Sequence, residues 1–256
     1  MIDIHSHILP GVDDGAQTIE ESLLMGKAAV EDGIHTIVAT PHHKNGSYEN
    51  YKNDITIQVA ELKRQFDSHG IDLEILPGQE NRIHGEFIDG INNDEILALN
   101  HTRYVFVEFP SSQVPRYASQ MLFDIQVEGF VPVIVHPERN KRILEDPDLL
   151  YNFVEKGAFA QVTAASLCGF FGKKIKKFSH QLIDANLVQL VANDAHNTKN
   201  RGFCLRQAYQ EISKEHGSIV TNEFLNNAEY IISNEFLAAA PPERVKNNFF
   251  SKLFTR

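Results

Sequence analysis

The chain contains no tryptophan, and only two cysteines, Cys168 and Cys204, among 256 residues. Two thiols so far apart, in no Cys-x-x-Cys pattern, exclude a disulfide scaffold and an all-thiolate zinc site, and they suit a reducing compartment. No apolar run approaches the roughly 18 residues of a membrane span, and the N-terminus lacks a signal peptide's basic start and apolar core. A cytoplasmic location is therefore expected. Basic residues are also short, with 24 Lys and Arg against 34 Asp and Glu, a formal net charge of -10. That balance argues against a general nucleic-acid binder. It also requires a local positive site for any anionic substrate, because the overall field repels one. What is abundant is histidine, at twelve residues.

Seven short runs are rich in Val, Ile, Leu or Phe and end in polar residues. They are MIDIHSH (1–7), HTIVATPHH (35–43), IDLEILPGQE (71–80), RYVFVEFP (103–110), VPVIVHPERN (131–140), AFAQVTAAS (158–166) and LVQLVANDAH (187–196). Most are too continuously apolar for a one-sided sheet and suit parallel strands covered on both faces. Helical patterns lie between them. Thr18 with Glu21 makes a capping box ahead of Ile19, Leu23, Gly26 and Val30, with Gly33 as a stop. Ile55, Val59, Leu62 and Phe66 step at helical spacing before Gly70, and Pro115 can open a helix that Gly129 ends. Further helical patterns occupy 146–156, 173–186, 199–216 and 221–234.

Strand-helix alternation with short connections predicts a parallel sheet with helices outside it. Seven units with chemistry at each C-terminal strand tip favour a closed barrel, whose active site gathers at that face. An open sheet would normally carry a glycine-rich phosphate loop after its first strand, and none is present. One domain is expected over 1–240, followed by a basic, aromatic tail at 241–256. The patch of Phe249, Phe250, Leu253 and Phe254 leaves two readings open, a mobile tail or docking on a partner or membrane surface.

In a strand, His5 and His7 point the same way, roughly 6–7 Å apart. A lone His-x-His is a weak signal, and a single glutamate at a strand end is usually just solvated. Here, however, the tips also supply Asp14, His42 and His43, Glu80, Glu108, His136, Asp194 and His196. Imidazole with carboxylate and no sulfur is a ligand set for manganese, iron, zinc or magnesium. So many carboxylates on one rim repel one another, and cations are the natural compensation. The remaining histidines (35, 69, 84, 101, 180 and 216) lie in helices, loops or strand starts and read as surface or packing residues.

HSH at 5–7, DDG at 13–15, TPHH at 40–43, PGQE at 77–80, EFP at 108–110, HPERN at 136–140 and NDAH at 193–196 resemble the polymerase-and-histidinol-phosphatase (PHP) superfamily. Order and spacing match across nearly the whole chain. PGQE, HPERN and the short length look most like its bacterial manganese-dependent protein-tyrosine phosphatases of capsule and exopolysaccharide operons. The resemblance implies a distorted seven-stranded (β/α)7 barrel of PHP type holding three divalent metals, Mn2+ first, with Fe, Zn, Co or Mg as alternatives. Carried over, one metal would take His5, His7, Glu80 and Asp194. A second would take Glu80, Glu108 and His136, with Glu80 bridging. A third would take Asp14, His42 and His196; Asp13 and His43 are left out on the family pattern.

Such a site lowers the pKa of a bound water, making hydroxide available near neutral pH. Arg139 and Arg201, just past ligand strands, are placed to grip phosphate oxygens, with Arg142 and Arg116 as weaker candidates. Each arginine could instead pair with a surface acid. Cysteine chemistry fails on spacing: in Cys-x5-Arg the arginine position falls on Lys174 or Gln210. The expected substrate is phosphotyrosine on a protein, such as the tail of a bacterial tyrosine kinase controlling polysaccharide export. A histidinol-phosphate-type phosphatase, a phosphodiesterase and an inactive metal-binding module are the alternatives.

Overall fold

The computed structural model describes residues 1–246. Its strands, in chain order, are β1 (Ile2–Ser6), β2 (Thr36–Ala39), β3 (His42–His43), β4 (Glu74–Pro77), β5 (Glu80–Arg82), β6 (Tyr104–Glu108), β7 (Val131–Val135), β8 (Phe159–Thr163) and β9 (Leu190–Ala192). Its helices are α1 (Ile19–Glu31), α2 (Lys52–Ser68), α3 (Phe87–Asn92), α4 (Ala118–Val127), α5 (Lys141–Glu145), α6 (Asp148–Glu155), α7 (Ala164–Cys168), α8 (Lys173–Asp184) and α9 (Leu205–Ser233). All strand pairings are parallel, as the continuously apolar runs predict.

The hydrogen-bonded ladder is divided into a three-stranded sheet, β1-β2-β4, and a six-stranded sheet, β3-β5-β6-β7-β8-β9. The division falls where two expected strands each break. In 35–43 the break is at Thr40-Pro41, where proline cannot donate to a ladder. In 71–80 it is at Gly78, where a Cβ would come within 2.7 Å of Val38. At the far end β1 meets the segment after β9 through a parallel bridge between Ser6 and Ala195.

Apolar side chains fill two layers. The larger lies between strands and helices and takes in the α2 stripe of Ile55, Val59, Leu62 and Phe66, all buried as their spacing predicts. The smaller gathers Ile2, Ile4, Val38, Phe106, Val133 and Leu190 and is closed by Ala228 and Ile231 of α9. Burying this much aliphatic surface, at roughly 25 cal/mol per Å², is the main term holding the strand tips in place.

The predicted cap on α1 forms, with Thr18 Oγ1 accepting from Glu21 N and Glu21 reaching back to Gln17 N. Other boundaries differ from the sequence reading. The α4 helix starts at Ala118 rather than Pro115, because residues 116–117 make a turn first. The end of the 158–166 run folds into α7, since two alanines and a serine follow the last apolar strand residues. The patterns at 199–216 and 221–234 form one run, α9, bent at Gly217 (φ 88°). Its expected first turn is a loop, because Asn197 Oδ1 accepts from Lys199 N and Arg201 N instead. Residues 241–246 lie against the body: Glu243 N donates to Ala185 O at 2.8 Å, and Arg244 pairs with Asp148. The phenylalanines and leucine of the tail patch fall outside the described residues.

Candidate metal centre

The strand ends converge on a cleft of about 280 Å³ lined by His42, Glu108, His136, Arg139, Asp194 and Arg201 among others. Two proposed ligands there, His136 (φ 39°) and Asp194 (φ 53°), follow β7 and β9 in the left-handed region. Non-glycine residues pay roughly 1–2 kcal/mol for that conformation, a cost that concentrates at functional sites. A third close fit brings in Asp14: a Cβ on Gly15 would overlap the His7 carbonyl oxygen at 2.0 Å. Only glycine lets the DDG loop lie against β1 and carry its acids to the rim.

Three histidines are fixed by their Nδ1 atoms. His5 Nδ1 donates to Gln161 Oε1 at 3.0 Å, and Gln161 is itself oriented by donating Nε2 to Val162 O at 2.8 Å. His7 Nδ1 bonds Asp13 Oδ2 at 2.6 Å, and His196 Nδ1 bonds the Asp194 carbonyl at 3.0 Å. Each therefore turns Nε2 toward the cluster, the arrangement that orients metal-binding imidazoles.

The atoms so presented lie close together without hydrogen bonding. His5 Nε2 is 3.5 Å from both Glu80 Oε2 and Asp194 Oδ1, and His7 Nε2 is 3.3 and 3.2 Å from the same two oxygens. Asp14 Oδ1 stands 3.3 Å from the Nε2 atoms of both His42 and His196. Ligand bonds of about 2.1 Å around a tetrahedral or octahedral cation put neighbouring ligand atoms about 3.0–3.4 Å apart. The Nε2 atoms of His5, His7 and His196, together with Glu80 Oε2, are buried and make no hydrogen bond. Orphaned buried polar atoms of this kind are rare in proteins unless a bound ion or water satisfies them. The donor set and its spacing fit divalent cations.

The grouping differs in detail from the one carried over. Among the described residues the candidate metal groups are His5-His7-Glu80, His7-Asp14-His42-His196 and His42-Glu80-Glu108. His42 stands between two of them, its Nδ1 2.7 Å from Glu80 Oε2 and 3.8 Å from Glu108 Oε2. His136 touches Glu80 Oε1 at 2.8 Å and joins no group with Glu108. Glu80 thus faces histidines with both of its oxygens. His43 turns away onto Tyr51, and Arg142 pairs outward with Asp146.

Burial disfavours charge here, yet the site holds it. Against burial, His42, His5 and His136 keep Glu80 well below the usual carboxylate range. Arg139 and His5 do the same for Asp194, and His196 and His42 hold Asp14 down. Burial and the neighbouring Glu80 push Glu108 up to about 7. Although burial opposes it, Glu80 pushes His42 up to about 10, and Asp13 raises His7 well above its ordinary value. Burial, with Arg139 or His7 respectively, lowers His136 and His196 to about 4. A divalent cation bound here would compete with protons for the His7 and His42 nitrogens.

The two arginines do not stand free. Arg139 Nη2 bonds Asp194 Oδ2, and Arg201 reaches Asp14 Oδ2 at 3.4 Å and Asp194 Oδ2 at 3.5 Å. Arg139 Nε remains buried without a partner. Three supporting residues were missed from the sequence: Asp13 behind His7, Gln161 behind His5, and Arg82 on Glu108. Gln161, a polar residue inside an apolar strand, was the legible signal among them.

A parallel α/β scaffold with clustered imidazoles and carboxylates at its strand tips defines a metal-dependent hydrolase type of site. Residues 1–233 match the family described as capsular polysaccharide synthesis, CpsB/CapC. The tyrosine-protein phosphatase YwqE of Bacillus subtilis is 47% identical over 254 residues, covering 99% of each chain. The putative tyrosine-protein phosphatase CapC of Staphylococcus aureus is 39% identical over 94% of this chain and 95% of that one. A crystal structure from a study of YwqE and Streptococcus pneumoniae CpsB, described there as unique metal-dependent tyrosine phosphatases, superposes with a TM-score of 0.94. It is 47% identical and covers 96% of this chain and 100% of that one. The chain belongs to the CpsB/CapC family.

Proposed function

We propose that the chain is a metal-dependent protein-tyrosine phosphatase that hydrolyses phosphotyrosine with water. The observation that carries the reading is the ring of orphaned imidazole nitrogens around Glu80, beside two arginines, in a close relative of named tyrosine-protein phosphatases. His5, His7, Glu80 and Asp194 would hold one cation, with Glu108, His136, Asp14, His42 and His196 completing two further sites. The donor set admits manganese, iron, zinc or magnesium, and the family resemblance puts manganese first. Divalent cations bound there would supply a hydroxide near neutral pH and offset charge on the phosphate.

The chain's own residues do the rest. Arg139, with its spare Nε, and Arg201 take phosphate oxygens, where charge-assisted bonds are strongest. On substrate binding Arg201 exchanges its long carboxylate contacts for phosphate, while Arg139 keeps Asp194 and offers Nε. A phenolate leaving group, with a conjugate acid near pKa 10, departs more readily than an alkoxide, so no dedicated acid is assigned. Neither cysteine lines the cleft.

We read the seven strand segments as the staves of one distorted PHP-type barrel, with 1–240 as a single domain and 241–256 as a tail. The Ser6–Ala195 bridge, where the first stave meets the last, supports this. The proposed substrate is a phosphotyrosine-bearing protein, such as the tail of a cytoplasmic-facing tyrosine kinase in capsule or exopolysaccharide synthesis. No described helix is long and apolar enough to cross a membrane.

The test is a panel of phosphotyrosine peptide, histidinol phosphate and a nucleotide diester, with and without chelator. Phosphotyrosine turnover that chelation abolishes and Mn2+ restores is expected. Preference for either other substrate, or full rate in metal-free protein, would overturn the reading.

A further inference from the structure

Beside the cleft lies a surface that the hydrolytic reading does not use. The turn Gly169–Gly172 carries Phe170, 61% exposed, and Phe171, 38% exposed. Both flanking glycines adopt positive φ, the backbone such a tight turn requires. Large exposed phenylalanines are normally avoided, and two together form a patch that calls for a partner.

The patch is continuous with the catalytic cleft. The Arg139 guanidinium carbon lies 5.4 Å from the Phe171 ring centroid, and Arg139 lines the cleft. The α8 helix that follows the turn packs on the Pro137–Arg139 segment. It opens with Lys173, Lys174, Lys176 and Lys177. Lys176 pairs with Glu211, but Lys173, Lys174 and Lys177 are exposed, with no carboxylate in ion-pair range among the described residues. Their spacing puts the three on one side of the helix. Lysines in a first turn work against the helix dipole, and no acid is present there to offset them. In a chain of net charge -10 this is a local positive surface, exposed at the start of the helix that follows the Phe170-Phe171 turn.

We propose that the Gly169–Gly172 turn and the start of α8 form a docking shelf for the polypeptide that carries the phosphotyrosine. Phe171 contacts an apolar or aromatic side chain near the phosphorylated residue. Lys173, Lys174 and Lys177 take acidic residues in its flanking sequence. The chemistry is a basic and aromatic surface matched to an acidic peptide, and its closeness to Arg139 favours the substrate chain over a lipid surface. The proposal rests on the phosphatase reading and extends it from the phosphate to the residues around it.

The experiment measures binding and turnover separately on the manganese-loaded protein. Two labelled peptides carry a non-hydrolysable difluoromethylphosphonate tyrosine mimic, one with acidic flanks and one with uncharged flanks, and polarisation reads affinity. The parent protein should prefer the acidic peptide by roughly tenfold, the reach of three exposed charge pairs. Added salt and the triple change Lys173→Ser, Lys174→Ser, Lys177→Ser should erase that preference. Phe171→Ala should weaken both peptides alike. Equal affinity for the two peptides in the parent, or an undiminished preference in the triple variant, would overturn the shelf.

Hydrolysis of p-nitrophenyl phosphate by the parent reports on the phosphatase reading alone. Binding preference without hydrolysis would leave the shelf and remove that reading, whereas hydrolysis without preference would do the reverse. Lysine-dependent sedimentation with phosphatidylglycerol vesicles, with no peptide preference, would assign the surface to lipid and overturn the proposal.

Discussion

Arg82 holds both carboxylate oxygens of Glu108, Nε to Oε2 and Nη2 to Oε1, each at 2.9 Å. A planar fork fixes the carboxylate's angle as well as its charge. That matters because burial and Glu80 push Glu108 up to about 7, and Arg82 is among the charges that oppose the rise. Without Arg82, Glu108 would take a proton more readily and turn, and a neutral carboxyl is a poor ligand. Arg82→Met should therefore cost roughly 10- to 100-fold in affinity for one metal or in activity. Arg82→Lys should recover part of the loss, since an ammonium lacks the fork. Metal content by elemental analysis, with rate at saturating Mn2+, checks this. Unchanged values for Arg82→Met would make the pair an ordinary ion pair.

Asp13 should matter without touching a cation. It fixes His7 through Nδ1 at 2.6 Å and accepts from Gly15 N at 2.9 Å and His42 N at 3.1 Å, so it orients two proposed ligands and the loop of a third. Asp13→Asn keeps the volume but removes the charge behind His7. Partners of this kind are worth roughly 10- to 100-fold in metal affinity. Isothermal titration with Mn2+ on the refolded apoprotein reads the effect, and a melting curve shows whether the variant folds. A folded variant with parental affinity would contradict the assigned role.

Asp3 gives a pH prediction outside the ligand set. It is fully buried, and although Asn193 donates to both its oxygens at 2.9–3.0 Å, burial raises it to about 6 from an ordinary 3.8. A carboxyl whose folded pKa is raised binds its proton more tightly when folded. Its contribution to stability is therefore greatest below the unfolded value and falls as pH rises from about 4 to about 6. The decline is on the order of 3 kcal/mol. Asp3→Asn removes the titration. In urea melts of the metal-free protein, the stability of the parent relative to Asp3→Asn should drop across that window. A difference that stays flat with pH would mean Asp3 ionises as freely in the fold as outside it.

The strand segments, the helix stripes and the polar residues at the strand tips were legible because each rests on a local rule. Continuous apolar runs mark covered parallel strands, and a polar residue after such a run marks a tip. The breaks at Thr40-Pro41 and Gly78 were less visible, because a run can stay apolar while its hydrogen bonds pass from one sheet to another. The partition of ligands was least visible. His42 offers two nitrogens to two groups, and which it serves depends on a ring angle set by tertiary neighbours. Arg82 was missed for a similar reason: nothing in ENR announces that its guanidinium meets Glu108 across the β5–β6 pairing. Asp13 stood in plain view beside Asp14, but only the fold says which of two adjacent acids faces the cleft and which stands behind His7.

Arg139 and Arg201 separate two kinds of support. Arg139 bonds Asp194 directly and is largely buried, whereas Arg201 reaches Asp14 and Asp194 only at 3.4–3.5 Å and is one-third exposed. Sequence position alone places both as grips on the phosphate oxygens. The contact with Asp194 changes that expectation for Arg139. Arg139→Ala should lower metal content as well as rate, since Asp194 loses the charge that holds it ionised in a buried setting. Arg201→Ala should keep its metals and lose rate alone. Removing a charge-assisted contact to the phosphate costs on the order of 2–4 kcal/mol, or roughly 30- to 1,000-fold. Arg201→Lys should restore only part, because an ammonium cannot present two parallel donors. Elemental analysis and turnover of a phosphotyrosine peptide, run on both alanine variants, decide the matter. Full metal and full rate in Arg201→Ala would make it a surface arginine. Full metal with reduced rate in Arg139→Ala would show that Asp194 needs no guanidinium, and that Arg139 acts on the substrate alone.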